Sequence, residues 1–239
     1  MKRTAIVTGA GKRVGRAIAE ALLADGWRVI AHVRRAEDEV PTGAIKVAAD
    51  LAAEDCAERI FAAEGADEAR LLINNAARFA EDRVEGFSPR EFARHMAVNV
   101  AAPVLLAERF ARSGGGGDRL VVNLLDAKLA APNPDFLSYT LSKMALGGFT
   151  ELAARALAGK GIRVNGIAPA LMLRSPGQSA ENFAAMHARN PLGRGVDPAD
   201  VVAALRYLVD ARTVTGQTIV IDGGQRFLAL ERDVQHLES

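Results

Sequence analysis

Tyr139 and Lys143 stand four residues apart in a strongly helical segment, so their side chains share one face of a helix. A lysine cation beside a phenol stabilises the phenolate and lowers its pKa from about 10. That makes the phenol a proton donor or acceptor usable near neutral pH. On spacing alone, a surface pair is the alternative. Asp126 comes thirteen residues before Tyr139, just past an apolar run. A charge ending a buried strand is costly without a partner, and a carboxyl there, with Tyr139, could hand a proton to a substrate nitrogen. A turn or helix-cap acid is the plainer reading of Asp126. Phe79 offers a flat aromatic platform for an electron-poor heterocycle, against ordinary core or loop packing. Reducing an imine-type C=N needs exactly one hydride on carbon and one proton on nitrogen, and these residues suit the second half.

A second group of residues suits a dinucleotide. Thr8-Gly9-Ala10-Gly11-Lys12-Arg13-Val14-Gly15 joins an apolar run to a helical one. Glycines there let the backbone approach a pyrophosphate, while the helix N-terminus supplies N–H donors and the positive dipole end. A glycine turn without a ligand is the alternative. The second strand ends Ala31-His32-Val33-Arg34-Arg35, with no acid before Glu37. A carboxylate there would bind the ribose 2′-hydroxyl of NAD. Two guanidinium groups suit a 2′-phosphate, so NADPH is the expected cofactor, with a solvated basic turn as the alternative. Asp50, after the third strand, is placed to accept from an adenine amino group or to serve its own turn.

The elements that must position these residues alternate along the chain. Strands are expected at Thr4–Thr8, Arg28–Val33, Ala44–Ala49, Leu71–Asn74, Leu120–Leu124, Arg163–Ile167 and Thr218–Ile221. Helices are expected at Val14–Ala24, Glu54–Glu64, from a Ser88 cap to about Arg112, and at Leu137–Ala158, Ala180–Ala188 and Pro198–Asp210. Gly114–Gly117 is read as a mobile connector, and Ala170–Asn190 as a substrate loop in which Met172, Arg174 and Phe183 are candidate lining residues. Alternating strands and helices imply parallel pairing with right-handed crossovers. Strands apolar throughout imply helices on both faces. The expected fold is α/β: one doubly wound Rossmann-type domain over residues 1–239, with a seven-stranded parallel sheet.

Composition narrows the function classes. The 239 residues are 49% hydrophobic and 25% charged, and 30 basic against 29 acidic residues give a net charge of +1. That balance argues against a bulk electrostatic grip on nucleic acid or anionic membrane. The single cysteine, Cys56, excludes an intrachain disulfide and a cysteine zinc cluster, and the histidines show no metal-ligand spacing. With the opening apolar run ending at Gly9, a cytoplasmic setting is expected.

The chain resembles the short-chain dehydrogenase/reductase family along nearly its whole length. The resemblance is carried by Thr8-Gly9 through Gly15, Asp50-Leu51, Asn74-Asn75-Ala76, Asn99, Tyr139 with Lys143, Arg163-Val164-Asn165 before Pro169, and Asp222-Gly223-Gly224. It implies that Tyr139 is the acid/base at the reacting atom. Lys143 would hold the nicotinamide ribose and depress the tyrosine pKa, and Asn99 would anchor a proton-relay water. A satisfied core asparagine is the alternative for Asn99, which shares a stripe with Phe92 and Met96. Cofactor contacts are implied at Gly9, Lys12, Arg13, Val14, Gly15, His32, Arg34, Arg35, Asp50, Leu51, Asn75, Ala76, Lys143 and Pro169. A tetramer packed through the long helices is also implied, and Ala145, Gly147 and Gly148 permit a close approach there.

The departures from the family pattern look like its pteridine reductase branch, which includes dihydromonapterin reductases. Arg13 stands where a glycine is usual, Ala77 closes the Asn-Asn-Ala motif, and Asp126 replaces the serine expected after the fifth strand. That branch also has a His-containing basic stretch after strand two and a phenylalanine after the Asn-Asn-Ala motif, here His32 with Arg34 and Arg35, and Phe79. The resemblance implies Phe79 stacking on a pterin, Arg13 touching the pterin or the pyrophosphate, and Asp126 near the ring nitrogen that gains a proton. The reaction so implied is NADPH-dependent reduction of a dihydropterin or dihydrofolate C=N. An NADP(H) carbonyl or alcohol oxidoreductase is the alternative. A non-catalytic NADP(H)-binding regulator is disfavoured by the intact Tyr139–Lys143 pair.

Overall fold

Seven apolar runs form seven strands that pair in parallel: β1 Thr4–Val7, β2 Arg28–Val33, β3 Ile45–Ala48, β4 Ala69–Asn74, β5 Arg119–Leu124, β6 Ile162–Pro169 and β7 Thr218–Ile221. This computed structural model describes residues 3–114, 116–174 and 178–236. The sheet order is β3-β2-β1-β4-β5-β6-β7. The winding therefore reverses beside β1, and a crevice opens past the carboxyl ends of β1 and β4, where doubly wound sheets bind ligands. Among the described residues no helix is long and apolar enough to cross a membrane.

Both faces of the sheet are covered, as period-two burial requires. Ala5, Val7, Leu71, Ile73 and Val122 point to one side. There they pack with Ile18 and Leu22 of α1 (Arg13–Ala24) and with Val201, Leu205 and Leu208 of α7 (Pro198–Asp210). Their neighbours Ile6, Leu72 and Val121 point to the other. There they meet Ile60 of α2 (Cys56–Phe61), Leu106 and Phe110 of α4 (Ala102–Arg112), and Ala153 and Ala154 of α5 (Leu137–Leu157). One polar line crosses this interior. Asn74 Nδ2 donates to Asn123 Oδ1 at 2.8 Å, and Asn123 Nδ2 donates to Thr150 Oγ1 at 2.9 Å.

Two expectations are corrected. The second helix is shorter than Glu54–Glu64, because the chain turns out of it toward Gly65, whose φ is +79°. The helix opened by Ser88, which accepts from the Glu91 N–H, is not continuous to Arg112. It runs as α3 (Pro89–Met96), widens into a π turn at Ala97–Ala101, and resumes as α4. Pro103 explains the break: it has no N–H to give the carbonyl of Asn99 four residues earlier, so the regular ladder cannot close there.

The helix that carries Tyr139 and Lys143 is capped from a distance. Phe136 precedes it with φ +55° and makes no side-chain cap. Asp82, in the segment after β4, supplies one instead. Its Oδ1 accepts from Ser138 N at 2.9 Å, its Oδ2 from Ser138 Oγ, and its main-chain carbonyl from Leu137 N at 3.1 Å. Asp82→Ala should cost about 1–2 kcal/mol by analogy with other helix caps. The urea midpoint is expected to fall with an unchanged slope, and turnover is expected to fall further than stability, because the capped turn carries Tyr139.

Candidate active site

The glycine turn is built from beneath. Gly9 has φ +67°, and its N–H donates to His32 Nδ1 at 3.2 Å. The other His32 nitrogen, Nε2, lies 3.0 Å from the Ala49 carbonyl, which fixes it as the donor. Burial holds His32 below the usual histidine range, with the Ala49 carbonyl opposing, so it stays neutral in this role. His32 therefore supports the turn and does not present a ring nitrogen to the surface. Asn75 braces the same turn, its Nδ2 donating to the Thr8 and Gly9 carbonyls at 2.9 and 3.3 Å. Thr8 Oγ1 accepts from the N–H groups of Asn75 and Ala76 at 3.0 Å each. A Cβ at Gly15 would lie 2.2 Å from the Gly9 carbonyl, so no other residue fits there.

Arg13 occupies the position where a glycine was expected, and its φ of +52° shows why glycine is usual. Its guanidinium donates to the carbonyls of Leu173 and Arg174, both at 3.2 Å, tying the turn to the segment after β6. Arg13, Val14 and Gly15 are the first residues of α1, so their N–H groups have no partner within the helix. Lys12 precedes them, exposed, at the N-cap. Arg34 and Arg35 are exposed past the end of β2, Arg35 with only a 4.0 Å contact to Glu37. Asp50 is exposed and spends one carboxylate oxygen on its own turn, accepting from Ala52 N at 3.0 Å, while Leu51 is buried. Pro169 closes β6 in register with Ile221.

Past the end of β5, Asp126 divides its carboxylate between two partners. One oxygen accepts from Lys128 N at 2.8 Å and caps a short turn, and the other accepts from Tyr139 Oη at 2.8 Å. Lys143, 3% exposed, donates its Nζ to the Leu124 carbonyl at 2.5 Å and lies 5.8 Å from the centre of the Tyr139 ring. The electrostatics reverse the expected sign at the tyrosine. Burial, and then the Asp126 charge and hydrogen bond, push Tyr139 well above its ordinary pKa, and the lysine does not offset them. Burial lowers Lys143 to about 8 against the pull of Asp126. Burial likewise raises Asp126, opposed by the Lys128 N–H, Tyr139 and Lys143. At neutral pH the centre therefore holds a neutral phenol, a carboxyl with raised proton affinity and a buried cation.

Asn99 is a satisfied asparagine with a positioning task. Its Oδ1 accepts from Arg78 N at 2.7 Å, and its Nδ2 donates to the Arg78 carbonyl and to Ser142 Oγ, both at 2.9 Å. It thus ties the backbone next to Phe79 to α5. Phe79 is 47% exposed, stacks on Phe136 at 4.4 Å and meets Tyr139 edge-on at 4.7 Å. Phe79, Tyr139 and Asp126 line a cavity of about 460 Å³, with Lys12, Arg13 and Val14 at the turn, Met172 and Leu173 after β6, and Leu230, Asp233 and Val234 from the C-terminal segment.

Residues 9–226 match the family model described as enoyl-(acyl carrier protein) reductase. L-xylulose reductase of Bos taurus is 34% identical over 242 residues, spanning 95% of this chain and 97% of that protein. The chain belongs to the short-chain dehydrogenase/reductase family. This short-chain oxidoreductase is also 32% identical to 3beta-hydroxysteroid dehydrogenase 1 of Eggerthella lenta, over 93% of each. Among solved structures it is similar to FolM alternative dihydrofolate reductase 1 from Brucella canis complexed with NADP, at 35% identity and TM-score 0.85 over 94% of each chain. The same protein from Brucella suis, in complex with NADP, gives 36% and 0.85 over 94% and 95%.

Several members of the site carried no sequence signal. Phe136 and Asp82 are set by the path of the chain, and Lys128 and Asp233 face the cavity from segments read as turn and tail. Phe183 is not brought to the cavity; it packs on His187 at 4.1 Å within α6 (Ala180–Ala188) and its flank. Cys56 is buried and unpaired, and burial raises its thiol pKa. Among the described residues no cluster suits a metal ion. Residue 115 of the Gly114–Gly117 connector and residues 175–177 of the Ala170–Asn190 loop lie outside the described residues.

The Lys143 ionisation is expected to set the alkaline limit of activity. kcat/KM should fall as pH rises through about 8, where the buried amine loses its proton. Asp126 raises that pKa, so Asp126→Asn should move the inflection to lower pH in a pH–rate profile. Lys143→Arg should remove it from the accessible range.

Proposed function

We propose that the protein is an NADPH-dependent reductase of a pterin-type C=N bond, with a dihydropterin or dihydrofolate as substrate. The observation that carries this is the 2.8 Å hydrogen bond from Tyr139 Oη to Asp126 Oδ2 in a cavity walled by the half-exposed ring of Phe79. The similarity to FolM alternative dihydrofolate reductase 1, solved with NADP, supports it.

The residues fit the cofactor. A glycine turn closed to any Cβ at Gly15 lets backbone N–H groups approach a pyrophosphate. Exposed Arg34 and Arg35 suit a 2′-phosphate. Asp50 keeps an oxygen for an adenine edge, and the family resemblance assigns cofactor contacts to Leu51, Asn75, Ala76, Pro169 and Lys143 as well. NADPH, when bound, supplies the hydride to the substrate carbon. The chain supplies the proton. Tyr139 holds it at neutral pH and passes it from Oη to the ring nitrogen, leaving a phenolate that regains its proton from solvent; the Asp126 carboxylate, which accepts the Tyr139 hydrogen bond, keeps the phenol protonated until that transfer. The Lys143 cation offsets the negative charge left between them. Phe79 holds the heterocycle flat, and Arg13 reaches it from the glycine turn.

A second reading is reduction of a carbonyl or oxidation of an alcohol with the same cofactor. The curated relatives favour it, being named L-xylulose reductase and 3beta-hydroxysteroid dehydrogenase 1. Tyr139 and Lys143 serve that reaction equally. The exposed apolar side chains Leu141, Met144 and Leu152 on α5, with Val104 and Leu105 on α4, support a homo-oligomer packed through these helices, a tetramer by family resemblance. The free, buried Cys56 goes with a reducing cytoplasmic setting.

Purified protein with NADPH should oxidise the cofactor in the presence of dihydrobiopterin, dihydromonapterin or dihydrofolate. Turnover of a ketone and of no pterin would leave only the second reading. Tyr139→Phe should abolish turnover with NADPH affinity held, by fluorescence titration. Phe79→Ala should raise the pterin KM at least several-fold, because aromatic stacking is worth about 0.5–1.5 kcal/mol beyond area burial.

Cofactor choice has its own test. A charge-assisted hydrogen bond contributes about 1.5–3 kcal/mol, so Arg35→Asp should cut the preference for NADPH over NADH by roughly 10- to 150-fold. The ratio of the two kcat/KM values reads this directly.

A further inference from the structure

Asp233 lines the same cavity as Asp126, Tyr139 and Phe79; its charge adds to the upward push on Tyr139 and Asp126 but it hydrogen-bonds to neither. Its backbone is fixed in place. The Asp233 N–H donates to Asp135 Oδ2 at 2.9 Å, and Arg232 Nε donates to the same oxygen at 2.8 Å. Arg83 lies 3.1 Å from the other oxygen. Asp135 is 1% exposed. Burial alone would raise its pKa, but Arg232, the Asp233 N–H and Arg83 together hold it below the usual carboxylate range. It is therefore an anion that pins the C-terminal segment over the cavity.

The Asp233 carboxylate is 15% exposed, and its lone pairs are lightly used. Oδ1 accepts from Gln235 N at 3.1 Å. Oδ2 lies 3.4 Å from Lys128 Nζ, beyond the ~2.7–2.9 Å of a charge-assisted bond. Lys128 gives its short bond, 2.6 Å, to the Asp135 carbonyl instead. An ionised carboxylate has about four acceptor sites, so Asp233 keeps capacity for a ligand. Asp126, the other cavity carboxylate, is already committed to Tyr139 and to the Lys128 N–H. The site thus offers a flat aromatic wall, a proton-transfer pair and one carboxylate free to accept a planar pair of donors.

We propose that Asp233 is the specificity-determining residue of the site. Its two oxygens accept the parallel N–H donors on the amino-amidine edge of a 2-amino-4-oxopyrimidine ring. The proposal rests on the pterin reading and adds to it the group that reads the ring. A sugar or steroid carbonyl has no such donor pair, so Asp233 favours the heterocycle and makes no such bond to a simple ketone. The residue comes from the C-terminal segment, so its position depends on the Asp135 anchor.

The test compares dihydrobiopterin with its 2-desamino analogue, using the full chain and NADPH. Asp233→Asn keeps the shape but replaces one acceptor oxygen with a donor. It should raise the KM for dihydrobiopterin roughly 10- to 150-fold, with the KM for NADPH little changed. The KM for the 2-desamino analogue, which keeps only the ring N–H of the pair, should rise by a clearly smaller factor. Lys128→Met, which removes the ion pair and leaves the carboxylate, should retain the discrimination between the two substrates. Equal losses on both substrates, or no loss on either, would overturn the assignment. If the unmodified protein reduces dihydrobiopterin and Asp233→Asn leaves its KM unchanged, only the role of Asp233 falls. If the unmodified protein reduces no pterin, the pterin reading falls and takes this proposal with it.

Discussion

Lys143 is a buried cation whose short bond goes to a strand-end carbonyl, that of Leu124, and the rest of the site is arranged around that tie. It fixes the middle of α5 against the carboxyl end of β5. Two residues beyond Leu124 the chain places Asp126, and one helical turn before Lys143 it places Tyr139, so the two meet at 2.8 Å. Isolated, a buried ammonium is expensive. Here the carbonyl and the nearby Asp126 charge offset that cost, and Lys143 remains largely protonated at neutral pH. The first turn of the helix is then held by Asp82, and Asn99 holds the Arg78 backbone beside it. Each contact converts a flexible segment into a wall of one cavity.

The charge balance within that cavity differs from a lysine–tyrosine pair considered alone. A cation near a phenol favours phenolate, but a carboxylate hydrogen-bonded to the phenol favours the protonated form more strongly, because it is closer. The substitution of Asp126 for serine therefore changes the chemistry as well as the shape. With burial, it holds Tyr139 in its protonated form. Arg13 is a parallel case in the backbone. Its left-handed conformation is one that a side chain adopts only at a cost, and the guanidinium gains contacts to Leu173 and Arg174 that glycine could not make.

Most of the architecture was legible in the sequence, since strands apolar on both faces and helices with a single apolar stripe have different periods. The π turn was not legible as a break, because Phe92, Met96 and Asn99 continue a helical stripe; Pro103 was the overlooked signal. Tyr139, Asp126 and Phe79, singled out by type, order and resemblance, line one cavity, and Lys143 lies 5.8 Å from the centre of the Tyr139 ring. The sign of the tyrosine shift was missed, because spacing along a helix gives no measure of how close a residue from another element lies. His32 was read as facing the cofactor. Its alternation on β2 places it under the glycine turn instead, where its neutral ring is a donor on one side and an acceptor on the other. Asp82, Asp135 and Asp233 act across 56, 97 and 98 residues of chain, or at the end of it, and no local pattern marks them.

The buried line from Asn74 through Asn123 to Thr150 has a consequence for how the sheet assembles. In strands apolar on both faces, sliding one past the other by a single residue exchanges one buried set for another and exposes almost nothing. Hydrophobicity then offers little defence against misalignment. Asn74 and Asn123 are direct partners across β4 and β5, and their amides bond only when those strands are in step. A slip would leave two amides stranded in an apolar interior, at a cost of about 1–3 kcal/mol for each unsatisfied group. These two side chains take no part in the proton transfer, yet they act as the alignment key for the two strands whose ends define where Asp126 and the cavity begin.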